Sequence, residues 1–595
     1  MDAYCTNKAL PVPAVWQRHS LPEKRISMRT YNNLKKAVPA DEVTSFKQML
    51  QKNAEVYADK VQYIYKDNGE MHEKTFIEFG EDVKSFATAL YEKGLAGKRI
   101  AIIGDTHPCW MIAFYATVIT GGVAVPLDRE VDAAQMAEFA KIAGCSAIVY
   151  TAALNEKVEG AASALSFIDC FIPVAPSEFN DSRVIPFKSM LEVGAALLEG
   201  GDTRYDDQET DLERMAAILF TSGTTGTSKG VMLSYKNFIA CCNACCKSMQ
   251  YDKDDVLVSV LPIHHTYELS TTQISGANIG ATVVICEGVR YATRYFKEYK
   301  PTAVILVPLF LETIHKKIWA EIKKKGIEKK VRTGMSVSDA LLKTGVDIRE
   351  KLFSDITAVF GGRLKSIVAG GAPLDPQIVK DFYSFGITVL QGYGITECSP
   401  LVSVNRPGRV SFKSVGQPVE GVEVKIDKLP DSVGDEGEIL VKGDNVMMGY
   451  YENDEATAEV LTEDGWFRTG DIGTVDKKGY IYITGRLKNV IIASNGKNIY
   501  PEELEDYLYR ISAIKECVVI GRDSDEGVCI TAVIVPDYEV LGEGTTDTAI
   551  SFILKEAIAQ INRTLPSYKH IARFEIRKDP FERTLSKKIK RFLVK

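Results

Sequence analysis

Residues 216–230, Ala-Ala-Ile-Leu-Phe-Thr-Ser-Gly-Thr-Thr-Gly-Thr-Ser-Lys-Gly, decide how this chain is read. The apolar run 215–220 predicts a buried strand, and it empties into a loop made only of Thr, Ser, Gly and one Lys. Gly223, Gly226 and Gly230 let the backbone turn its N–H groups inward. The hydroxyls of Thr221, Ser222, Thr224, Thr225, Thr227 and Ser228 add donors and Lys229 adds charge, a composition suited to phosphate. A Walker A loop needs G-x-x-x-x-G-K-[ST] running into a helix, whereas Lys229 is followed by Gly230 and a second apolar run, 231–233. A P-loop kinase is therefore disfavoured. The plainer alternative, a flexible surface hairpin, leaves ten consecutive hydroxyl, Gly and Lys residues between two strands unexplained.

Outward from that stretch, 595 residues at 45% hydrophobic and 25% charged give length for several domains with large cores. A net charge of -7 argues against general nucleic-acid binding and for small partners. Residues 1–40 carry no basic start followed by an apolar segment, so a cytoplasmic location is expected. The twelve cysteines lack paired zinc spacing, which fits reduced, buried thiols. Cys241, Cys242, Cys245 and Cys246 cluster after Ser234, a good N-cap, on an expected helix 235–249 that sets Cys241 over Cys245 and Cys242 over Cys246. Packed helix is preferred to a metal site because no His stands near to complete one. The apolar passage 109–127 could just reach membrane-span length, but Thr120-Gly121-Gly122 breaks it into a buried helix and a strand 123–125.

Taken in order, residues 61–65 and 74–77 flank Asp67-Asn68-Gly69, a hairpin signal, and a helix 79–91 follows. Strands are expected at 99–103, 147–150, 256–260, 282–286, 303–307, 366–369 and 387–391, alternating with helices, the pattern of an α/β sheet. Between 315 and 360 lies a lysine-rich helical insertion whose Ile314, Ile318 and Ile322 form an apolar stripe. It reads as a solvated helix packed on the body in preference to a membrane-surface helix, so at most peripheral membrane contact is expected. From 412 the texture turns to short strands punctuated by Gly, an antiparallel, barrel-like region, and after Gly485 a compact unit with a basic far end begins. The expected division is a 1–45 extension, a 46–485 body and a 486–595 C-terminal domain.

Further motifs follow the first. Gly370-Gly371-Ala372-Pro373 sits at a strand's carboxyl end, where open α/β sheets bind ligands. Gln391-Gly392-Tyr393-Gly394-Ile395-Thr396-Glu397 does the same at the next strand, offering a ring to stack, a hydroxyl, and a carboxylate able to hold Mg²⁺. Asp471, in Thr469-Gly470-Asp471, is a lone carboxylate able to take both hydroxyls of a ribose. Each alone reads equally well as turn chemistry.

With Gly485-Arg486-Leu487-Lys488-Asn489 and Asn495-Gly496-Lys497, these motifs stand in the order found in the adenylate-forming superfamily. Over about residues 45–595 the sequence resembles its long-chain fatty-acid CoA ligases. The resemblance implies an α/β body with a small mobile α+β lid. It also implies two steps: a carboxylate attacks the α-phosphate of ATP, pyrophosphate leaves, and a thiol then takes the acyl group. Its implied cofactors are ATP, Mg²⁺ and CoA, and its implied substrate a fatty acid. By motif match Thr221, Ser222, Gly223, Thr224, Thr225, Gly226 and Lys229 hold the outer phosphates, with Glu397 and Thr225 at the metal. Tyr393 takes the adenine among Gly371, Ala372, Pro373, Gln391, Gly392 and Gly394, Thr396 the α-phosphate and Asp471 the ribose. Arg486 closes over the nucleotide, and Lys588 bridges carboxylate and α-phosphate. Lys488 is the hinge of the lid, Gly496 lines the pantetheine channel, and His265 lies in the aromatic motif beside the acyl pocket. Lys587 stands where a glycine is common. An acyl carrier protein as acceptor, or a non-catalytic acyl-nucleotide sensor, are the rival readings; against the sensor, Lys588, Glu397 and Asp471 are all present.

Overall fold

The computed structural model describes residues 42–222, 228–428, 435–492, 498–524, 527–542, 544–583 and 589–594. The hydroxyl-rich stretch begins in the strand Met215–Ser222, which pairs antiparallel with Ser228–Ser234, Thr221 opposite Lys229 and Ser222 opposite Ser228. A strand, not a helix, follows the loop, as the apolar run 231–233 requires. This hairpin belongs to a seven-stranded mixed sheet ordered Gly449–Tyr450, Ser228–Ser234, Met215–Ser222, Val123–Leu127, Arg99–Ile103, Ala147–Tyr150, Cys170–Pro173.

A nine-stranded mixed sheet packs beside it, running from Gln417–Pro418 through Leu401–Val404, Thr388–Gly394, Ser366–Ala369, Ala303–Leu306, Val256–Ser259, Thr282–Ile285 and Val61–Asp67 to Glu70–Thr75. Its inner strands run parallel and its outer pairs antiparallel. The strand expected at 387–391 runs on to Gly394 because Gly392–Gly394 pair with Leu401–Val404, a partner that local periodicity cannot reveal. The helix Pro108–Ile119, buried at every residue but Cys109, belongs to the shared core; a helix apolar all round belongs inside. Gly122 ends that passage for a steric reason, since a Cβ there would sit 2.4 Å from the Lys98 carbonyl. No described helix is long and apolar enough to cross a membrane.

The cysteine helix is Tyr235–Met249, opened by a Ser234–Asn237 capping box, and all four of its cysteines are buried, with Cys241 and Cys245 sulfurs 3.9 Å apart. The lysine-rich insertion is built on two long helices, Pro308–Lys324 and Glu328–Lys343, followed by the short helices Arg349–Leu352 and Ser354–Thr357; Ile314, Ile318 and Ile322 are buried against the body and the lysines of 316–330 face solvent. The Gly-punctuated region is an antiparallel sheet of Val422–Lys428, Gly437–Gly443, Phe467–Val475 and Ile481–Arg486. The C-terminal domain has its own core, with Leu504, Leu508, Ile534, Leu554 and Ile558 packing the helices Pro501–Tyr509 and Asp547–Asn562 on a three-stranded sheet. Its third strand, Arg573–Ile576, escaped the sequence reading; half-buried and polar, it is held by parallel pairing to Gly527–Pro536.

Candidate active site

The parallel strands Ser366–Ala369 and Thr388–Gly394 end side by side, bringing the two glycine motifs together. Gly371 has φ +84° and, with Ala372 and Pro373, is exposed. A Cβ on Gly394 would lie 2.4 Å from the Pro400 carbonyl, so the chain crosses there only without a side chain. Tyr393 is buried, and its hydroxyl donates to Asp471 Oδ2 at 2.6 Å. The other oxygen of Asp471 meets Arg486 Nε at 2.8 Å. The sheet explains this: Asp471 and Arg486 are register partners on adjacent strands. Burial first, then the Asp471 charge, pushes the Tyr393 phenol well above its ordinary pKa, so it remains a donor. Arg486 ends the strand Ile481–Arg486, in the same sheet as Asp471, because ladder pairing to Asp471 continues through it.

A second polar group lies at the hairpin. Tyr450, on the two-residue strand beside Ser228–Ser234, donates to Glu397 Oε1 at 3.0 Å, and Lys229 Nζ lies 4.6 Å from its ring centroid. The structure thus joins Lys229 and Glu397, 168 positions apart in the chain, through a residue that no motif had singled out. Among the described residues no three His, Cys, Asp or Glu converge on a metal position. Mg²⁺ commonly takes one or two carboxylates together with substrate phosphates and waters, and Glu397 is the carboxylate that the structure sets beside Tyr450 at the hairpin.

Beside the glycine motifs lies a cavity of about 80 Å³, bounded by Gly370, Gly371, Gly392 and Gly394 on one side. Tyr267, Thr271 and Ser275, spaced by four along a helical segment with a π turn at Leu269–Ile274, line one wall, and Cys245, Cys246 and Met249 another. The polar atoms of the first wall are spent on backbone: the Tyr267 hydroxyl donates to the Leu306 and Val368 carbonyls at 3.3 Å, Ser275 Oγ to Ser270 O at 2.7 Å, and Thr271 Oγ1 to Tyr267 O. What remains facing the space is chiefly hydrocarbon, sulfur and ring.

His265 precedes the short helix Thr266–Glu268 and is not among the residues lining this cavity. The ring of its neighbour His264 lies 4.1 Å away between centroids, tilted by 50°, and 3.5 Å from Asp128 Oδ2. Burial, and secondarily His265, push the His264 pKa well down, so the ring is neutral and this contact is no ion pair. Glu268, fully buried, accepts from Ser259 Oγ at 2.6 Å, Gln273 Nε2 at 3.1 Å and Thr272 Oγ1 at 3.1 Å. Burial nonetheless raises its pKa from 4.5 to about 7. A raised carboxyl is held protonated in the native state while the unfolded chain ionises, so its contribution is full below about pH 4.5 and lost as pH rises through about 7. Urea titrations should therefore show the native protein losing on the order of 3 kcal/mol between those limits that Glu268→Gln does not lose. Parallel pH profiles for the two proteins would refute the shift.

Gly223, Thr224, Thr225, Gly226, Gly496 and Lys588 lie outside the described residues, as does the Ser222 side chain. Thr221 Oγ1 donates to the Lys229 carbonyl at 3.4 Å across the hairpin. Gln391 spends its amide on the Phe412 carbonyl at 2.8 Å, which makes it a strut between strand and loop. Gly392 lines the cavity, Thr396 opens the 3₁₀ turn Thr396–Cys398, and Lys488 sits in the turn Leu487–Asn489.

An AMP-forming ligase that activates carboxylic acids through acyl-adenylates is the class to which this fold and site correspond. The chain belongs to the family of AMP-binding enzymes: residues 50–451 match that family, and residues 488–594 match the AMP-binding enzyme C-terminal domain. It is 28% identical to a chloroplastic long-chain-fatty-acid–[acyl-carrier-protein] ligase of Arabidopsis thaliana, over 85% of this chain and 78% of that one. It is 27% identical to a long-chain-fatty-acid–CoA ligase of Mycobacterium bovis, over 87% and 90%. Among solved structures, an anthranilate CoA ligase in complex with anthranoyl-AMP superposes with a TM-score of 0.74 at 18% identity, covering 94% of this chain and 98% of that one.

Proposed function

We propose that the protein activates a long-chain fatty acid with ATP and passes the acyl group to the thiol of CoA, yielding acyl-CoA, AMP and pyrophosphate. The observation that carries the substrate class is the cavity: a wall that satisfies its own polar atoms on backbone offers an incoming chain chiefly apolar contact. Gly370, Gly371, Gly392 and Gly394 are among its lining residues, and there a carboxylate at the head of that chain would lie against the nucleotide.

The division of labour follows from the charges. Asp471 receives the ribose hydroxyls and, with Arg486, caps the nucleoside; Tyr393 and the exposed Gly371–Pro373 segment flank the base. The hairpin hydroxyls and Lys229 hold the outer phosphates, and Thr396 the α-phosphate. Mg²⁺, when bound at Glu397 and Thr225, neutralises charge on the phosphates. In the first step a carboxylate oxygen bonds to the α-phosphorus and the bond to the pyrophosphate oxygen breaks. Negative charge gathers at phosphorus, and Lys588 and the loop N–H groups stabilise it without a protein nucleophile. In the second, the thiol sulfur bonds to the acyl carbon and AMP departs with the carboxyl oxygen. Lys488 pivots the lid between the steps, bringing Gly496 to the thiol channel. His265 contributes at most to the shape of the motif beside the cavity.

Pyrophosphate release measured from butyrate to stearate, with and without CoA, tests the proposal. Each methylene newly buried adds about 0.8 kcal/mol, so kcat/KM should rise roughly fourfold per carbon until the cavity is filled, with full turnover only when CoA is present. Preference for anthranilate or a short acid would overturn the substrate class. Turnover with acyl carrier protein but not with CoA would overturn the acceptor.

A further inference from the structure

Tyr450 touches both halves of the phosphate machinery. Its main chain lies in the strand Gly449–Tyr450, opposite Val231 of the hairpin's outgoing strand. On either side, Met448 N–H donates to the Met232 carbonyl at 2.9 Å and Tyr451 N–H to the Gly230 carbonyl at 2.7 Å. The same segment holds the turn that bears Glu397, because Met447 N–H donates to the Glu397 carbonyl at 2.8 Å. Tyr450 N–H itself donates to Thr457 Oγ1 at 2.9 Å, anchoring the strand to the following helix.

The side chain repeats this bridging. It is 7% exposed, its hydroxyl donates to Glu397 Oε1 at 3.0 Å, and Lys229 Nζ stands over the ring at 4.6 Å. A phenol donor on one carboxylate oxygen fixes the plane of that carboxylate, and the negative face of the ring attracts the ammonium.

We propose that Tyr450 is a positioning residue for catalysis, holding the Glu397 carboxylate where a nucleotide-bound divalent cation meets it and the Lys229 ammonium where the outer phosphates lie. The proposal rests on the phosphate and metal reading given above and names the residue that makes those two groups one platform. It also accounts for the placement of a two-residue strand at the edge of the seven-stranded sheet: pairing with the hairpin sets the phenol's height relative to both groups.

Two substitutions at one position separate the two contacts. Tyr450→Phe keeps the ring under Lys229 and removes the hydroxyl; Tyr450→Leu removes both. ATP binding is measured calorimetrically across a Mg²⁺ titration with no acid present, alongside kcat and thermal melting. Tyr450→Phe should raise the Mg²⁺ concentration for half-maximal ATP binding about tenfold and leave Mg²⁺-free ATP binding unchanged, whereas Tyr450→Leu should also weaken Mg²⁺-free binding about fourfold. Glu397→Gln should reproduce the Mg²⁺ shift, and the Tyr450→Phe/Glu397→Gln pair should add nothing to it, since both act through one carboxylate. If Glu397→Gln shifts the Mg²⁺ dependence and Tyr450→Phe does not, Tyr450 is a packing residue and the inference is overturned while the metal reading stands. If neither shifts it, the metal reading itself fails. A lowered melting point with an unchanged Mg²⁺ requirement likewise counts against a positioning role.

Discussion

Lys588→Ala should slow acyl-adenylate formation about a thousandfold, a barrier increase of ~4 kcal/mol, and leave thioester formation from supplied acyl-adenylate within about threefold. The first step brings two anions, a carboxylate and the α-phosphate, to bonding distance, and charge then concentrates at phosphorus. A cation between them removes a repulsion worth several kcal/mol in a site of low effective dielectric. The second step joins a thiol to a mixed anhydride and has no such encounter. The described stem around this stretch is firmly held, so the substitution should be local. Arg583 bridges Ile589, Glu516 accepts from Phe581 N–H at 2.9 Å and Arg583 Nη2 at 2.8 Å, and Arg591 pairs with Glu505. ATP–pyrophosphate exchange and single-turnover thioester assays read the two steps separately. A large loss from Lys587→Ala with Lys588→Ala nearly unaffected would assign the role to the neighbouring lysine.

Lys488→Pro should separate the half-reactions in the other sense: substantial pyrophosphate exchange, but thioester formation reduced on the order of a hundredfold, roughly 2.7 kcal/mol. Under the function proposed above one site serves both steps, so Lys588 and Gly496, both on the segment after Gly485, would take turns at the acyl carbonyl. The economical device is rotation about a few residues that absorb the dihedral change. Lys488 is the middle of the single 3₁₀ turn Leu487–Asn489, closed by the Val490 N–H to Leu487 carbonyl bond at 3.4 Å. Proline's φ near -65° suits a 3₁₀ turn and denies the large φ changes that a pivot needs. Its ring also crowds Leu487, a cost common to both half-reactions. In the described pose the domain meets the body at Arg510 Nε–Asp375 Oδ2, 3.9 Å apart, a contact a rotation would exchange. Equal loss of both half-reactions would mean general damage to the domain, and no loss would place the pivot elsewhere.

Much of this molecule was legible in local pattern. Apolar runs of four or five residues bounded by Gly and polar clusters marked Arg99–Ile103, Ala147–Tyr150 and Ser366–Ala369 to the residue, because a strand buried on both faces must be continuously apolar. Ser234 and the helical spacing of its cysteines located Tyr235–Met249, and the hydroxyl-rich loop between two apolar runs announced a hairpin. Residue chemistry nominated Asp471, Glu397 and Lys229 as well. What it could not supply were the partners. Asp471 meets Tyr393 from 78 positions away, and Tyr450 reaches Glu397 across 53; such pairs arise from sheet order, which is settled by long-range pairing and core packing and not by the period of either strand. The strand Arg573–Ile576 exists because Gly527–Pro536 offers it an edge, and the cavity exists because the cysteine helix, the helical segment through Ser275 and four strands of the nine-stranded sheet leave the space between them unfilled. The chain by itself determined most of the elements and which groups could do chemistry. Only the tertiary structure decided which of those groups meet, and that a single tyrosine on a two-residue strand would join the carboxylate to the lysine, since contact between distant residues depends on the summed packing of both sheets.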